Sequence, residues 1–393
     1  KLIIAIVISR LNAANEVFKE VTGSDLSQAA QDRIYNASKN IIGSIYPDYN
    51  PSLSKQSYFV AGLGVRQPIF LGNKLDAAGN LAQSLVNSAD INVDLVNKEV
   101  DFLIAAQYLR ILYLNTLFNK QQVMVDALTK NNNYAQELVK NQILAPYQKS
   151  WTNVVLTQAE SHFNNIKLEQ QNAYIELNKL LGVPLDSAIV ITDTLNYAAI
   201  EPFKPEGDFW ESNPVYKMAG SKISYAKTAE KISKSFSLPN IFAIGNYNLY
   251  QRDLPLLMPD WFVGVELQWT LFNGQTRKRT LAARQLIEEA KLAEQNASLG
   301  IQVLSTVARN KMESLQNEVA SLDNARKNAH TTSRLITERM KNQLSSPKDV
   351  NDALLIETEI EKGYHTAVFG YYLAAAEYFN SLGKPQQITQ YIK

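Results

Sequence analysis

"KNQILAPYQK" runs from Lys140 to Lys149, and "KNQLSSPKDV" runs from Lys341 to Val350. The same Lys-Asn-Gln phrase returns after a constant offset of 201 residues, with a proline four positions after each glutamine. Held in that register without gaps, 137–184 and 338–385 agree at 12 of 48 positions, among them Thr157/Thr358, Glu160/Glu361, Leu181/Leu382 and Gly182/Gly383. Unrelated segments do not agree so often, and self-similarity of this kind governs the whole reading of a chain. Upstream, "GLGVRQPIFLG" (62–72) answers "GVELQWTLFNG" (264–274), and "NEVFK" (15–19) answers "NPVYK" (213–217). The chain is two copies of one unit.

Each copy holds the same parts in order. In the first, spanning 1–185, an opening helical stretch (15–38) leads to a strand pair within 40–71, a long helix over 73–141 and a return helix over 147–181. In the second, spanning 213–393, the helical stretch 213–236 leads to a strand pair within 240–273, a long helix over 275–343 and a return helix over 348–382. A Gly-x-Pro sequence closes both return helices (Gly182 and Pro184, Gly383 and Pro385), which is a helix stop signal. Residues 186–212 read as an equatorial linker. The N-terminal "KLIIAIVIS" reads as a short first helix or an extended lead-in. A helix over 73–141 is about 100 Å long at 1.5 Å per residue. The opening and return helices stacked end to end nearly match it, so the chain predicts a tall, thin wall whose apolar seams are shared with neighbours.

The strands show a sharp alternation. Trp261, Val263, Val265, Leu267, Trp269 and Leu271 point one way; Phe262, Gly264, Glu266, Gln268 and Thr270 point the other. In the first copy Phe59, Ala61, Leu63, Val65, Ile69 and Leu71 oppose Gly62, Gly64 and Arg66. A tilted strand crosses a bilayer in about 9–11 residues, with aromatics at its ends. A half-buried strand of a soluble sheet has the same pattern, so alternation alone leaves both readings open. Few other strand candidates exist, and no separate core is available to cover these. Four strands cannot close a barrel and lipid does not tolerate open sheet edges. Three chains would give twelve strands and a pore.

Composition excludes several classes. With 39 basic and 38 acidic residues the chain lacks the basic excess of a nucleic-acid-binding protein. It contains no cysteine, which removes disulfides and thiolate metal sites. No run of apolar residues is long enough for a transmembrane helix. Enzyme signals are poor: His162, His330 and His365 show no His-x-x-x-His spacing, "GLGVR" lies within a strand, and there is no Gly-x-Ser-x-Gly. His162 and His365 read as surface or seam residues. No catalytic, cofactor-binding or metal site is expected.

At this point the residues resemble the TolC family of outer-membrane channel proteins, over nearly the whole chain. The resemblance rests on the duplicated plan, on "QPIFLG" and "LFNGQ" ending the second strand of each copy, on "NPVYK" followed by "SLPNI", and on "ERMKNQLSSPKDVNDALLIETE" (338–359). The first copy departs from the pattern, with Asn15-Glu16 in place of Asn-Pro. The likeness implies an α+β membrane protein: a homotrimeric 12-stranded β-barrel, four strands per chain, in the outer membrane, continuous with a long α-helical barrel in the periplasm. It implies an exit duct for a tripartite efflux pump or type I secretion system. The partners implied are a periplasmic adaptor (membrane fusion) protein, an inner-membrane transporter and outer-membrane lipid.

By the same likeness, Asp349 and Asp352 line the periplasmic aperture. Gln142, Pro146, Gln343 and Pro347 mark the adaptor-contact turns. Asp349 also fits a capping box with Ser346, and both roles stand open at this point. The first copy has Gln148 and Trp151 at the equivalent places, so an acidic ring would come from the second copy alone. Arg66, Glu266 and Gln268 are expected in the barrel lumen. Phe59, Trp261, Val263, Val265, Leu267 and Trp269 are expected against lipid or in the aromatic girdle. The basic "NGQTRKRT" (273–280) follows the last strand at the periplasmic rim and reads as no more than a solvated helix start. Two other classes fit parts of the pattern: a soluble helical scaffold with a small β-hairpin domain, and a pore-forming toxin.

Overall fold

The computed structural model describes residues 2–45, 59–200, 207–252 and 259–392. They fall into two compact units, one drawn from 1–72 and 237–271, the other from 73–236 and 272–393. Both sequence copies contribute to both units.

The first unit holds α1 (Leu2–Thr22), α2 (Gln28–Ile45) and the strands β1 (Phe59–Leu71), β2 (Asn240–Arg252) and β3 (Trp261–Gln268). The helical stretch expected over 15–38 is broken. Gly23 leaves α1 in the left-handed region (φ 76°), a conformation that glycine adopts without steric cost. Asn15 then pins the turn: its Oδ1 accepts from the Leu26 N–H at 2.7 Å, and its Nδ2 donates to Asp25 at 2.9 Å. The strand expected near 40–46 is a correction, because 40–45 form the last turns of α2. Ile34, Ile41, Ile42 and Ile45 recur at helical spacing, and that period prevails over the local β-branched run. The connection between the two strands expected within 40–71 falls on residues 46–58, outside the described residues.

The described sheet therefore has three strands in the order β1-β2-β3, all antiparallel, where four per chain were expected. Its central pairing joins the two sequence copies, from Phe59 opposite Arg252 to Leu71 opposite Asn240. Pro68, which has no N–H for the ladder, precedes a bulge: Pro68 lies opposite Phe242 and Phe70 opposite Ile241, leaving Ile69 extra. The bulge shifts the phase. Leu71 falls in line with Asn240 and Gln268, away from the face of Val65, where alternation alone had placed it.

The second unit is helical: α3 (Lys74–Lys140), α4 (Pro146–Leu181), α5 (Pro214–Ser235), α6 (Gly274–Lys341) and α7 (Pro347–Ser381). The long helices have 67 and 68 residues and the return helices 36 and 35. Each long helix packs along its own return helix, and α3 also packs on α5 and α7. The α3/α4 seam is narrow: Ile111 and Leu114 meet Ala173 and Leu177, and further along Met124 and Leu128 meet Val155, Leu156 and Ala159. Two buried glutamines mark it. Gln107 donates to the Ala173 carbonyl at 2.8 Å and Gln121 to the Ala159 carbonyl at 3.0 Å. The spacing from 107 to 121 equals that from 159 to 173, two heptads, so one contact recurs along the seam. Alanine leaves its carbonyl accessible to the glutamine amide.

The largest core lies where α7 meets α3, α6 and the segment 188–200. Tyr371 and Tyr372 are fully buried, and Ala374, Ala375 and Ala376 allow close approach. The linker has no sheet or helix to satisfy its backbone there, and the tyrosines supply the partners. The Ile200 N–H donates to the Tyr371 hydroxyl at 2.8 Å. The Ala198 N–H donates to the Tyr372 hydroxyl at 3.0 Å, and Tyr372 donates on to the Asn196 carbonyl at 2.8 Å. Tyr371→Phe and Tyr372→Phe keep the ring and remove the acceptor. Each is expected to cost about 1–2 kcal/mol, since a buried N–H is left unmade. Thermal unfolding followed by circular dichroism reads this, against Tyr147→Phe at an exposed site, which is expected to be neutral.

Candidate functional site

Two regions collect the expected site residues, one in each unit. In the sheet, directly opposed residues share a face. Leu63, Tyr247 and Trp261 lie in one row; Val65, Gly245 and Val263 in the next; Gln67, Ala243 and Val265 in the third. This face is open: Trp261 is 64% exposed, Val263 77%, Val265 70% and Leu267 62%. Phe59 begins β1, also exposed, with its ring 5.9 Å from that of Tyr250. Trp269 and Leu271 lie beyond the end of β3 at Gln268, and the Trp269 indole donates to the Ser237 carbonyl at 3.2 Å.

The opposite face carries the charged and amide side chains, interleaved with Phe242, Ile244 and Phe262. The Arg66 guanidinium reaches from β1 across β2 to Glu266 on β3, with paired hydrogen bonds of 2.8 and 3.1 Å, and lies 3.7 Å over the Phe242 ring. The Asn246 amide donates to Asn248 at 2.8 Å, and Asn248 donates to the Pro259 carbonyl at 3.0 Å. Gly62 makes room for this cluster, since a Cβ there would come within 3.0 Å of both Asn248 Oδ1 and the Tyr247 carbonyl. Gln268 ends β3 opposite Asn240 and, two residues from Glu266, points to the same side. Arg66, Glu266 and Gln268 thus share one face, and Trp261, Val263, Val265 and Leu267 share the other.

In the helical unit the two Lys-Asn-Gln phrases end the long helices in the same way. Gln142 and Gln343 both take the left-handed conformation (φ 59° and 60°). The Ile143 N–H bonds to the Leu138 carbonyl and the Leu344 N–H to the Arg339 carbonyl, both at 2.9 Å, a Schellman closure. Glycine is the usual residue there, and a side chain at positive φ is held against a cost of about 1 kcal/mol. Pro146 and Pro347 then open the return helices at their first turn, where a missing N–H is harmless. Ile143, Tyr147 and Leu344 are exposed around these turns.

Asp349 closes a complete capping box. Its carboxylate accepts from the Ser346 N–H at 2.8 Å and from the Ser346 hydroxyl at 2.9 Å, and its own N–H donates back to Ser346 Oγ at 3.2 Å. These bonds, the backbone one foremost, hold its pKa below the ordinary carboxylate value. Asp352 accepts from Lys348 one turn away at 2.5 Å. Both carboxylates border the same open groove between α6 and α7, of about 620 Å³, with Thr332, Ser345 and Ile356.

Two features were not anticipated. Asn131 on α3, buried, donates to the Pro347 carbonyl at 2.7 Å and to Asn351 at 2.6 Å, tying α3 to the first turn of α7. Further along, Glu361 on α7 is approached by Lys120 of α3 at 3.3 Å, His365 at 3.3 Å and Arg326 of α6 at 3.9 Å. His365, read from sequence as a surface or seam residue, is buried in this cluster. The i, i+4 spacing of Glu361 and His365 was its one sequence signal. His330 meets Glu357 at 2.6 Å nearby. Among the described residues no group of three His, Asp or Glu side chains is placed to hold a metal, and no helix is long and apolar enough to cross a membrane.

A duplicated pair of hundred-ångström helices with a small antiparallel sheet, apolar on one face and polar on the other, is the fold of the TolC-like outer-membrane channels. The chain aligns with the outer membrane protein VceC of Vibrio cholerae over 98% of its own length and 93% of that chain, with a TM-score of 0.71 and 15% identity. It aligns with the open state of the Neisseria gonorrhoeae MtrE outer membrane channel over 88% and 85%, with a TM-score of 0.70 and 14% identity. For the Campylobacter jejuni CmeC outer membrane channel the figures are 88% and 81%, 0.68 and 11%. No family model and no curated protein sequence matches the chain.

Proposed function

We propose that the chain is the outer-membrane duct of a tripartite efflux pump or type I secretion system, a passive conduit from periplasm to exterior. The observation that carries this reading is the two-faced sheet, whose largely exposed and mostly apolar face is costly in water and suited to hydrocarbon. The likeness to outer-membrane channels supports it. Among the described residues β1 and β3 leave two unpaired edges, and in lipid both need partners, which neighbouring copies can supply. In the order β1-β2-β3 the two edge strands run the same way. A ring in which every neighbour is antiparallel therefore needs an even number of strands from each chain, so a homotrimer closing twelve strands requires a fourth strand from each chain beyond the three described. The face bearing Arg66, Glu266 and Gln268 then lines the lumen. The exposed apolar turns around Gln142 and Gln343 suit a periplasmic adaptor, with an inner-membrane transporter supplying energy.

In such a trimer Asp349 and Asp352 from three chains form a ring of carboxylates, which favours cations. Their bonds to Ser346 and Lys348 do not remove this role, because both side chains still border the groove. Conductance in planar bilayers tests the proposal. The wild type is expected to form cation-preferring channels, and Asp349→Asn with Asp352→Asn to lose most of that preference. Protein that remains in solution without detergent and gives no conductance would overturn the duct, and an unchanged double variant would leave Asp349 as a helix cap alone.

A further inference from the structure

Positive charge is concentrated at one end of the helical unit. α5 runs antiparallel to α6 there: Arg284 bonds Glu230 at 3.0 Å, and Ser233 lies 3.1 Å from Thr280. The first residue of α3 joins them, since the Lys74 ammonium and the Arg279 guanidinium lie 5.1 and 5.7 Å from the centre of the Phe236 ring. The C-terminus of α5 and the N-termini of α3 and α6 thus converge. They present Lys231, Lys234, Arg277, Lys278, Arg279 and Arg284, all exposed, on a chain whose net charge is only +1. Against them stand Glu230, which Lys234 and Arg284 already share, and Asp76 in the first turn of α3.

The placement runs against helix electrostatics. Arg277, Lys278 and Arg279 occupy the start of α6, the positive end of its dipole, and no acidic residue stands in that first turn. Folding alone would favour carboxylates here; three adjacent cations favour an anion from outside. Phe272, two residues before α6, is 96% exposed beside them. An exposed aromatic next to a basic cluster is the signature of a membrane–water boundary. Each place where the chain passes to or from the strands, at 72–73, 236–237 and 271–272, lies within a few residues of this cluster in sequence.

We propose that this basic collar docks on anionic phospholipid headgroups of the leaflet at the strand ends, a reading that rests on the membrane placement above. The test uses the full chain and its triple variant Arg277→Gln, Lys278→Gln, Arg279→Gln. Flotation with vesicles of pure phosphatidylcholine first asks whether each protein inserts at all. Lipid retained after purification from mixed micelles then compares phosphatidylglycerol with phosphatidylcholine, at low and at high salt. The wild type is expected to retain phosphatidylglycerol preferentially, and the variant to reduce that preference roughly tenfold or more, as high salt does. Equal retention of the two lipids by a wild type that floats overturns the collar and leaves the duct standing. So does a variant that floats and keeps the preference. A wild type that does not float with the phosphatidylcholine vesicles overturns the membrane reading itself.

Discussion

Val265→Arg is expected to remove most of the protein from the outer-membrane fraction. Val265 sits in the middle of β3, between Val263 and Leu267 on the open face and opposite Ala243 of β2. If that face meets hydrocarbon, an arginine there costs about 2–4 kcal/mol per chain, and the cost repeats in every copy of the assembly. Glu266→Gln is the control one residue along, pointing the other way. It loses the paired bond to Arg66, but both groups are substantially exposed, so the expected loss is under about 1 kcal/mol. Insertion should proceed as in the wild type. A sheet facing water predicts the reverse order, because an exposed arginine in place of an exposed valine is harmless or improves solubility. Fractionation of cells expressing the wild type and both variants decides between them. Normal assembly of Val265→Arg would show that the apolar face never meets lipid.

Much of this architecture was legible because its signals are local and periodic. The Lys-Asn-Gln phrase marks the end of both long helices within a residue: α3 ends at Lys140, α6 at Lys341, and the following glutamines share one backbone conformation. Strict alternation in β3 sorted its residues correctly, since no bulge interrupts its pairing with β2. The errors have identifiable causes. At 40–45 a short apolar run satisfies both periods, and only the isoleucine at 34 shows that the helical one extends further back. In β1 the Pro68 bulge resets the phase, a two-residue effect that composition does not announce. The Glu361 cluster could not be read, because its members come from three helices and Lys120 stands far from Arg326 in the chain. The linker was read as a connector, whereas its segment 188–200 is built into the core by hydroxyls of Tyr371 and Tyr372.

Glu361→Gln is expected to destabilise the helical unit by about 2–3 kcal/mol near neutral pH. The carboxylate is largely buried, and removing its charge strips Arg326 and Lys120 of a shared counter-ion while the volume stays the same. Breaking a fully buried ion pair costs about 3–5 kcal/mol. The lower figure is expected because Lys120 is half exposed and can hydrate, and because Arg326 keeps its 2.8 Å bond to Asp323 and its place 4.2 Å over the Tyr364 ring. Burial by itself pushes the Glu361 pKa up. The His365 contact, with Lys120 and Arg326, outweighs it and holds the value below that of an ordinary glutamate. The sign of the pH dependence follows: a folded-state pKa below the unfolded one adds stability that is complete above the unfolded value, near 4.5, and is lost as pH falls through the folded value. Thermal unfolding of the wild type and Glu361→Gln at pH 7.5 and again near pH 3 is the measurement. A gap of several degrees at neutral pH that narrows in acid identifies a charge effect. A gap of the same size at both would mean that the carboxylate's ionisation contributes nothing, and that glutamine fails there for reasons of packing.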